Sequence, residues 1–215
     1  MPLNILHLDC SPRSDSRSRQ LSSAIVGKLL EAAPAARISR RNLGADPLPH
    51  ATADYAVTLS SPKTLAAPVE GSLDLSEQLI REVEWADAIV IGTPMHNLTV
   101  PSVLKAWIDQ VLRAGRTFRS TASGKTGMLA DRPVLVAIAS GGTFTGERAG
   151  QPDFLRPYLK EVLGSIGLKS TQFLAVQATA FLDDETAASA LEAALTALDL
   201  SGVNERGPLA SAGGA

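Results

Sequence analysis

Cysteine is almost absent: Cys10 is the single one in 215 residues. No intrachain disulfide framework can form, which fits a reducing compartment, and a cytoplasmic location is expected. Long apolar runs are missing as well. The longest are strand-length, too short to cross a bilayer, and Met1 to Leu8 lacks the charged head and extended apolar stretch of an export signal. Neither sign of charge is in excess, since 20 Lys and Arg face 22 Asp and Glu for a formal net charge of -2. The basic residues are scattered, so nothing favours nucleic acid or an anionic membrane as a partner. His7 and His50 have no metal-ligand spacing around them, and no metal is expected.

What is present alternates. Leu3 to Leu8, Ile38 to Asn42, Ala88 to Thr93, Val134 to Ala139 and Thr171 to Val176 are short apolar or β-branched runs. The third and fourth are nearly continuous, as in strands buried on both faces. Between them lie helical periodicities at Ser18 to Ala32, Leu73 to Trp85, Ser102 to Ala114, Phe154 to Ile166 and Glu185 to Leu198. In the first of these Leu21, Ile25 and Leu29 recur every four residues, with Ser16 or Ser18 available as the cap. Five strands alternating with five helices specify an α/β fold, a doubly wound parallel sheet with helices on both faces. Residues 1–200 read as one domain.

Two segments interrupt the alternation. Asp46 to Gly71, with four prolines, is too long for a simple connection. Arg116 to Pro133 reads as a polar hairpin insertion turning near Ser123-Gly124. Gly124-Lys125-Thr126 belongs to that turn rather than to a P-loop, because Arg119 stands where the first glycine is needed and no strand immediately precedes it. Residues 201–215 are small and polar and read as a flexible tail.

In open α/β sheets the binding cleft forms beyond the carboxyl ends of the strands, where the winding reverses. Three loops therefore matter. After Leu8 comes Asp9-Cys10-Ser11-Pro12-Arg13-Ser14-Asp15-Ser16-Arg17-Ser18, rich in hydroxyls and arginine and leading into a helix. Free N–H groups and a partial positive charge at a helix start favour an anion. The alternative is a solvated loop with a serine cap. No G-x-G-x-x-G follows the strand, so a single phosphate fits better than the diphosphate of a dinucleotide.

After the third strand, Gly92-Thr93-Pro94-Met95-His96-Asn97-Leu98-Thr99-Val100-Pro101 offers both polar and apolar groups to a flat ring such as a flavin, unless it is an ordinary exposed turn. Asn97 and the backbone are the expected polar contacts, and Met95 and Leu98 the apolar ones. After the fourth strand, Ala139-Ser140-Gly141-Gly142-Thr143-Phe144 brings paired glycines whose N–H groups could approach a ligand, although a plain turn uses the same residues. Cys10, with no neighbouring cysteine or evident base, reads as a small packed residue.

Taken together, these loops resemble those of the FMN-dependent NADH azoreductases, also described as NADH:quinone oxidoreductases, of the flavodoxin-like superfamily. The resemblance runs from about residue 3 to residue 200. It is most specific at P-M-H-N-L, like the family's P-M-Y-N-F, then at L-K-A-W-I-D and at A-G-R-T-F from Ala114 to Phe118. It implies FMN phosphate contacts at Ser11, Ser16, Arg17 and Ser18. It also implies ring contacts at Met95, His96, Asn97, Leu98, Ala139, Ser140, Gly141 and Gly142, with Pro94 packed beside the ring. His96 replaces a common tyrosine, and Ala139 and Ser140 replace a frequent serine and a charged or polar residue, which alters the hydrogen bonds available near the ring.

The activity the resemblance implies is ping-pong. NAD(P)H reduces FMN and leaves, and a quinone or azo compound then collects the two electrons. No protein nucleophile is required; His96 and Asn97 are the candidate catalytic groups, with simple packing the alternative for His96. Phe118, Phe144 and Trp107 are candidate acceptor-stacking residues, although most aromatics in such a chain belong to the core. The resemblance also implies a homodimer with the site at its interface.

Two other readings exist. A flavodoxin-type electron carrier would bind FMN without turnover, but the T-x-T-G-x-T phosphate signature and strong acidity are missing. A phosphoacceptor receiver domain would use Asp9, but it needs an aspartate after the third strand, where Thr93 and Pro94 stand.

Overall fold

The computed structural model describes residues 2–122 and 124–204. Parallel strands β1 (Asn4–Asp9), β2 (Arg37–Asn42), β3 (Ala88–Pro94), β6 (Val134–Ala139) and β7 (Thr171–Val176) form one sheet in the order β2-β1-β3-β6-β7. Winding reverses between β1 and β3, so the cleft falls beyond Asp9 and Pro94. The doubly wound parallel fold expected from the alternation, flavodoxin-like as the resemblance implies, is the fold observed.

Side chains of alternate strand residues divide the core in two. Leu6, Leu8, Ile89, Ile91, Val136 and Ile138 pack under α4 (Asp74–Trp85), α5 (Ser102–Val111) and α6 (Leu155–Ser165). Ile5, Val90, Leu135, Ala137 and Leu174 pack under α1 (Arg17–Ala32) and α7 (Asp184–Thr196). Strands β3 and β6 are buried almost throughout, as their unbroken apolar sequences require. The edge strand β2 instead carries exposed arginines, a composition that discourages further strand pairing. Arg41 of β2 holds Glu82 of α4 through two hydrogen bonds of 2.5 and 2.6 Å.

The interruptions take definite forms. The 46–71 excursion contains two short helices, α2 (Ala53–Leu59) and α3 (Pro62–Ala66), started by side-chain caps from Thr52 and Ser61. The hairpin is β4 (Phe118–Thr121) paired antiparallel with β5 (Gly124–Gly127). Ser123 of its turn lies outside the described residues.

Two expectations need correction. The helix expected to reach Ala114 ends at Val111, because Thr117 donates its hydroxyl to the Val111 carbonyl at 2.7 Å and accepts from Arg113 N at 3.0 Å. The stretch taken as tail begins with a helical turn, α8 (Ser201–Asn204), whose Val203 is buried against the α1/α7 side of the core. The rest of that stretch lies outside the described residues. Among the described residues no helix is long and apolar enough to cross a membrane.

Candidate active site

Strand β1 ends at Asp9, and the chain then crosses the top of the sheet, where Cys10 N donates to the Gly92 carbonyl at 2.8 Å. Ser16 is the N-cap of α1: its backbone is extended (φ -68°, ψ 142°) and its hydroxyl accepts from Arg19 N at 3.3 Å. Ser18 Oγ lies 3.3 Å from Ser16 Oγ. No acidic residue occupies the first turn of α1, so the partial positive charge of the helix start is not offset within the helix. Hydroxyls and free amide groups thus converge there, as an anion requires.

The arginines of this loop do not supply the free charge that the sequence suggested. Arg13 pairs with Asp15, Nη2 to Oδ2 at 2.9 Å. Arg19 turns beneath the loop and donates to the Ser11 carbonyl and to Asn42 Oδ1, both at 3.0 Å. Arg17 reaches Asp184 on α7 at 2.5 Å. Each guanidinium is already matched by an oxygen acceptor: Arg13 within the loop itself, Arg17 and Arg19 because folding brings α7 and β2 alongside it.

Under the loop lies a buried polar group of residues that the sequence offered only singly, His7 as a metal ligand and Asp9 as a phosphoacceptor. His7 Nε2 is 3.0 Å from Ser22 Oγ, and that hydroxyl donates to Asp9 Oδ1 at 3.1 Å. Burial alone would raise the Asp9 carboxyl pKa, but His7, Arg19 and Ser22 together hold it below its ordinary value. Gly92 makes room for this packing: a Cβ there would stand 2.5 Å from Ser22 Oγ. Cys10 is wholly buried, and burial followed by the charge of Asp9 pushes its thiol pKa well up, as befits a packed residue.

At the end of β3, His96 and Thr99 exchange backbone hydrogen bonds of 3.0 Å across a tight two-residue turn. Its central residues, Asn97 and Leu98, have φ of 48° and 71°. Asn tolerates that region; Leu does so only under strain, and such strain tends to be kept where a loop has a task. His96 and Asn97 are exposed, Leu98 is half-buried and Met95 is buried.

After β6, the loop is stitched to the segment following β7. Ala178 N donates to the Gly142 carbonyl at 3.2 Å and Thr179 N to the Ser140 carbonyl at 3.0 Å. Gln151, which no sequence signal marked, joins the two ring loops: its Nε2 lies 3.0 Å from Ser140 Oγ and 3.2 Å from Met95 Sδ.

These loops enclose a cavity of about 480 Å³ at the β1/β3 reversal. Ser11, Ser16, Arg17, Ser18, Pro94, Met95, His96, Ala139 and Gly141 line it together. Asn97, Leu98, Ser140 and Gly142 belong to the same loops but are not among the lining residues. Asp15, Thr179 and Asp184 line it without having been anticipated.

The candidate stacking aromatics lie elsewhere within this chain. Trp107 is fully buried under the sheet. Phe144 is buried with Arg156 over its ring at 5.3 Å, and Phe118 is buried with Lys125 over its ring at 4.6 Å. All three are core residues in this fold, and none lines the cavity.

Comparison with known proteins agrees with this fold. The model of a family described as having the flavodoxin-like fold matches residues 3–200. An FMN-dependent NADH:quinone oxidoreductase of Pseudomonas fluorescens is 46% identical over 198 residues, covering 92% of this chain and 94% of that protein. Another protein of that name, from Burkholderia lata, is 48% identical over 178 residues, covering 82% and 86%. Among solved structures, an FMN-dependent NADH-azoreductase of Bacillus anthracis in complex with FMN superposes with a TM-score of 0.72 at 24% identity, over 90% of this chain and 98% of that one. Matched by the family model along nearly its whole length and close in sequence to full-length relatives, the chain belongs to the flavodoxin-like fold family, alongside proteins named FMN-dependent NADH:quinone oxidoreductases.

Proposed function

We propose that the protein is an FMN-dependent oxidoreductase that passes two electrons from NADH or NADPH to quinones and reductively cleaves aromatic azo compounds. The observation that carries the reading is one cavity shared by the start of α1 and the loops after β3 and β6. The donor set fits FMN: serine hydroxyls and a helix start with no acidic residue in its first turn suit one phosphate, and a loop with both amide and apolar groups suits a flat ring.

When bound, FMN would supply the two-electron redox chemistry that links a nicotinamide donor to the acceptor in a ping-pong exchange. Ser11, Ser16, Arg17 and Ser18 hold the phosphate. Pro94 to Leu98 and Ala139 to Gly142 hold the ring, with Gln151 fixing the two ring loops against each other. The lack of a side chain at Gly141, which lines the cavity, lets its backbone approach closely, while the bare Gly142 makes room for Gln151, whose Oε1 would stand 2.7 Å from a Cβ there. Exposed His96 and Asn97 place polar groups at the rim, where His96 is a proton donor or acceptor for the bound acceptor.

The homologues' names support this assignment, and the sequence identity makes the same chemistry the natural reading of this cavity. A homodimer in which a second copy closes the site, working in the cytoplasm, completes it. Phe154 supports the dimer: it is 59% exposed and its N–H is hydrogen-bonded to the Leu98 carbonyl, so apolar surface stands uncovered beside the ring loop.

The purified protein should be yellow and should release FMN on heating. It should also consume NADH or NADPH steadily with a soluble quinone. A colourless protein that takes up no added FMN defeats the proposal, and bound flavin without turnover turns it to an electron carrier. Light scattering on the purified protein should give twice the chain mass.

A further inference from the structure

Asp184 has no place in the motifs of the sequence, yet it lines the cavity and is joined to Arg17. We propose that Asp184 sets the affinity and selectivity of the site for phosphate-bearing flavin by holding Arg17 across the cavity mouth, so that an entering phosphate must draw Arg17 from a carboxylate. This inference rests on the FMN reading above.

Arg17 is the first residue of α1 and Asp184 the first of α7, and both border the cavity. Arg17 Nη2 lies 2.5 Å from Asp184 Oδ1, while its Nη1 donates to Gln20 at 3.0 Å. The Asp184 side chain is 98% exposed, so the core does not depend on it. Nor is it the cap of α7, since Asp183 accepts from Thr186 N at 2.8 Å.

Asp184 therefore adds a negative charge beside the phosphate end and occupies the guanidinium best placed to meet a phosphate. Arg13, the other cavity arginine, is already held by Asp15. A guanidinium prefers phosphate or carboxylate through the same planar donors, so the two acceptors compete. A ligand lacking phosphate is indifferent to the contest. Exposed ion pairs are weak, which sets the expected gain on removing Asp184 at about two- to fivefold in affinity.

The test titrates full-length protein, stripped of flavin, with FMN and with riboflavin, following flavin fluorescence. Wild type, Asp184→Asn, Asp184→Glu, Arg17→Ala and the Arg17→Ala/Asp184→Asn double variant are compared at one ionic strength. The expected result is tighter FMN binding by Asp184→Asn, wild-type binding by Asp184→Glu, and no change for riboflavin. In the Arg17→Ala background, Asp184→Asn should give a clearly smaller gain, because only the direct repulsion between Asp184 and the phosphate is left to remove. Unchanged or weaker FMN binding by Asp184→Asn overturns the proposal, as does a parallel gain for riboflavin. An equal gain without Arg17 also overturns it, because the effect would then be simple repulsion between Asp184 and the phosphate. Wild type that takes up neither flavin removes the FMN reading itself, and the proposal with it, before any variant is compared.

Discussion

Gly44 stands behind the proposed phosphate loop, and replacing it with alanine should cripple flavin binding through packing alone. Its N–H donates to the Asp9 carbonyl at 3.1 Å, which sets its backbone against the loop. A Cβ at that position would stand 2.7 Å from Pro12 N and closer still to the Ser11 carbonyl, whereas ordinary contact begins at 3.4 Å. The loop must therefore shift by about 0.7 Å or more, an overpacking that costs about 1–3 kcal/mol. For a chain of this size that is a fall in melting temperature of about 2–12 °C.

The shift also moves Ser11 out of the arrangement proposed to hold the phosphate, and losing about 1.4 kcal/mol of those contacts would weaken FMN tenfold. Thermal melts and a fluorescence titration with FMN measure both effects. Gly27→Ala is the control: Gly27 lies inside α1 with nothing within 4 Å of a Cβ, so alanine should stabilise by about 0.5–1 kcal/mol and leave FMN affinity alone. A Gly44→Ala protein that melts and binds FMN like wild type refutes the close-packing argument.

Glu77 accepts from Arg116 and Arg113, and although burial opposes ionisation, these hydrogen bonds hold its carboxyl down at about 2. Its contribution is thus present above the ordinary value of 4.5 and lost as pH falls towards 2. Glu77→Gln should melt a few degrees lower than wild type at pH 7 and show a flatter decline through that acid window; parallel melting curves would contradict this. Asn97→Gly keeps the left-handed turn while removing the amide, so it should weaken FMN or slow NADH-driven reduction without loss of stability; wild-type binding and turnover would remove Asn97 from the site. Native protein at pH 8 should leave Cys10 unlabelled by a thiol-alkylating reagent until it is unfolded, and rapid labelling of the folded protein would show that the thiol is not packed away.

Much of this protein is written locally. Continuous apolar runs at Ala88 to Thr93 and Val134 to Ala139, with helical periodicity between, specify buried parallel strands, because each pattern reflects a neighbour two or four residues away. The Ser16 cap and the three loops beyond the strand ends follow from the same local signals and from the topology they imply. The end of α5 does not, since Thr117 returns from beyond the turn to satisfy Val111. The helices within 46–71 were marked only by caps at Thr52 and Ser61, too short a signal without periodicity.

The site's finer chemistry is tertiary throughout. Arg17 meets a carboxylate 167 residues away, and Gln151 meets Met95 and Ser140 from a loop that no motif marks. Whether Trp107, Phe118 and Phe144 stack on a ligand or fill the core depends on which face the fold covers, and a side chain's own identity carries no record of that. Sequence determined the strands of the sheet, the five long helices between them and the place of the cleft; only tertiary packing decided which charges are already spent and which surfaces remain free to meet a ligand.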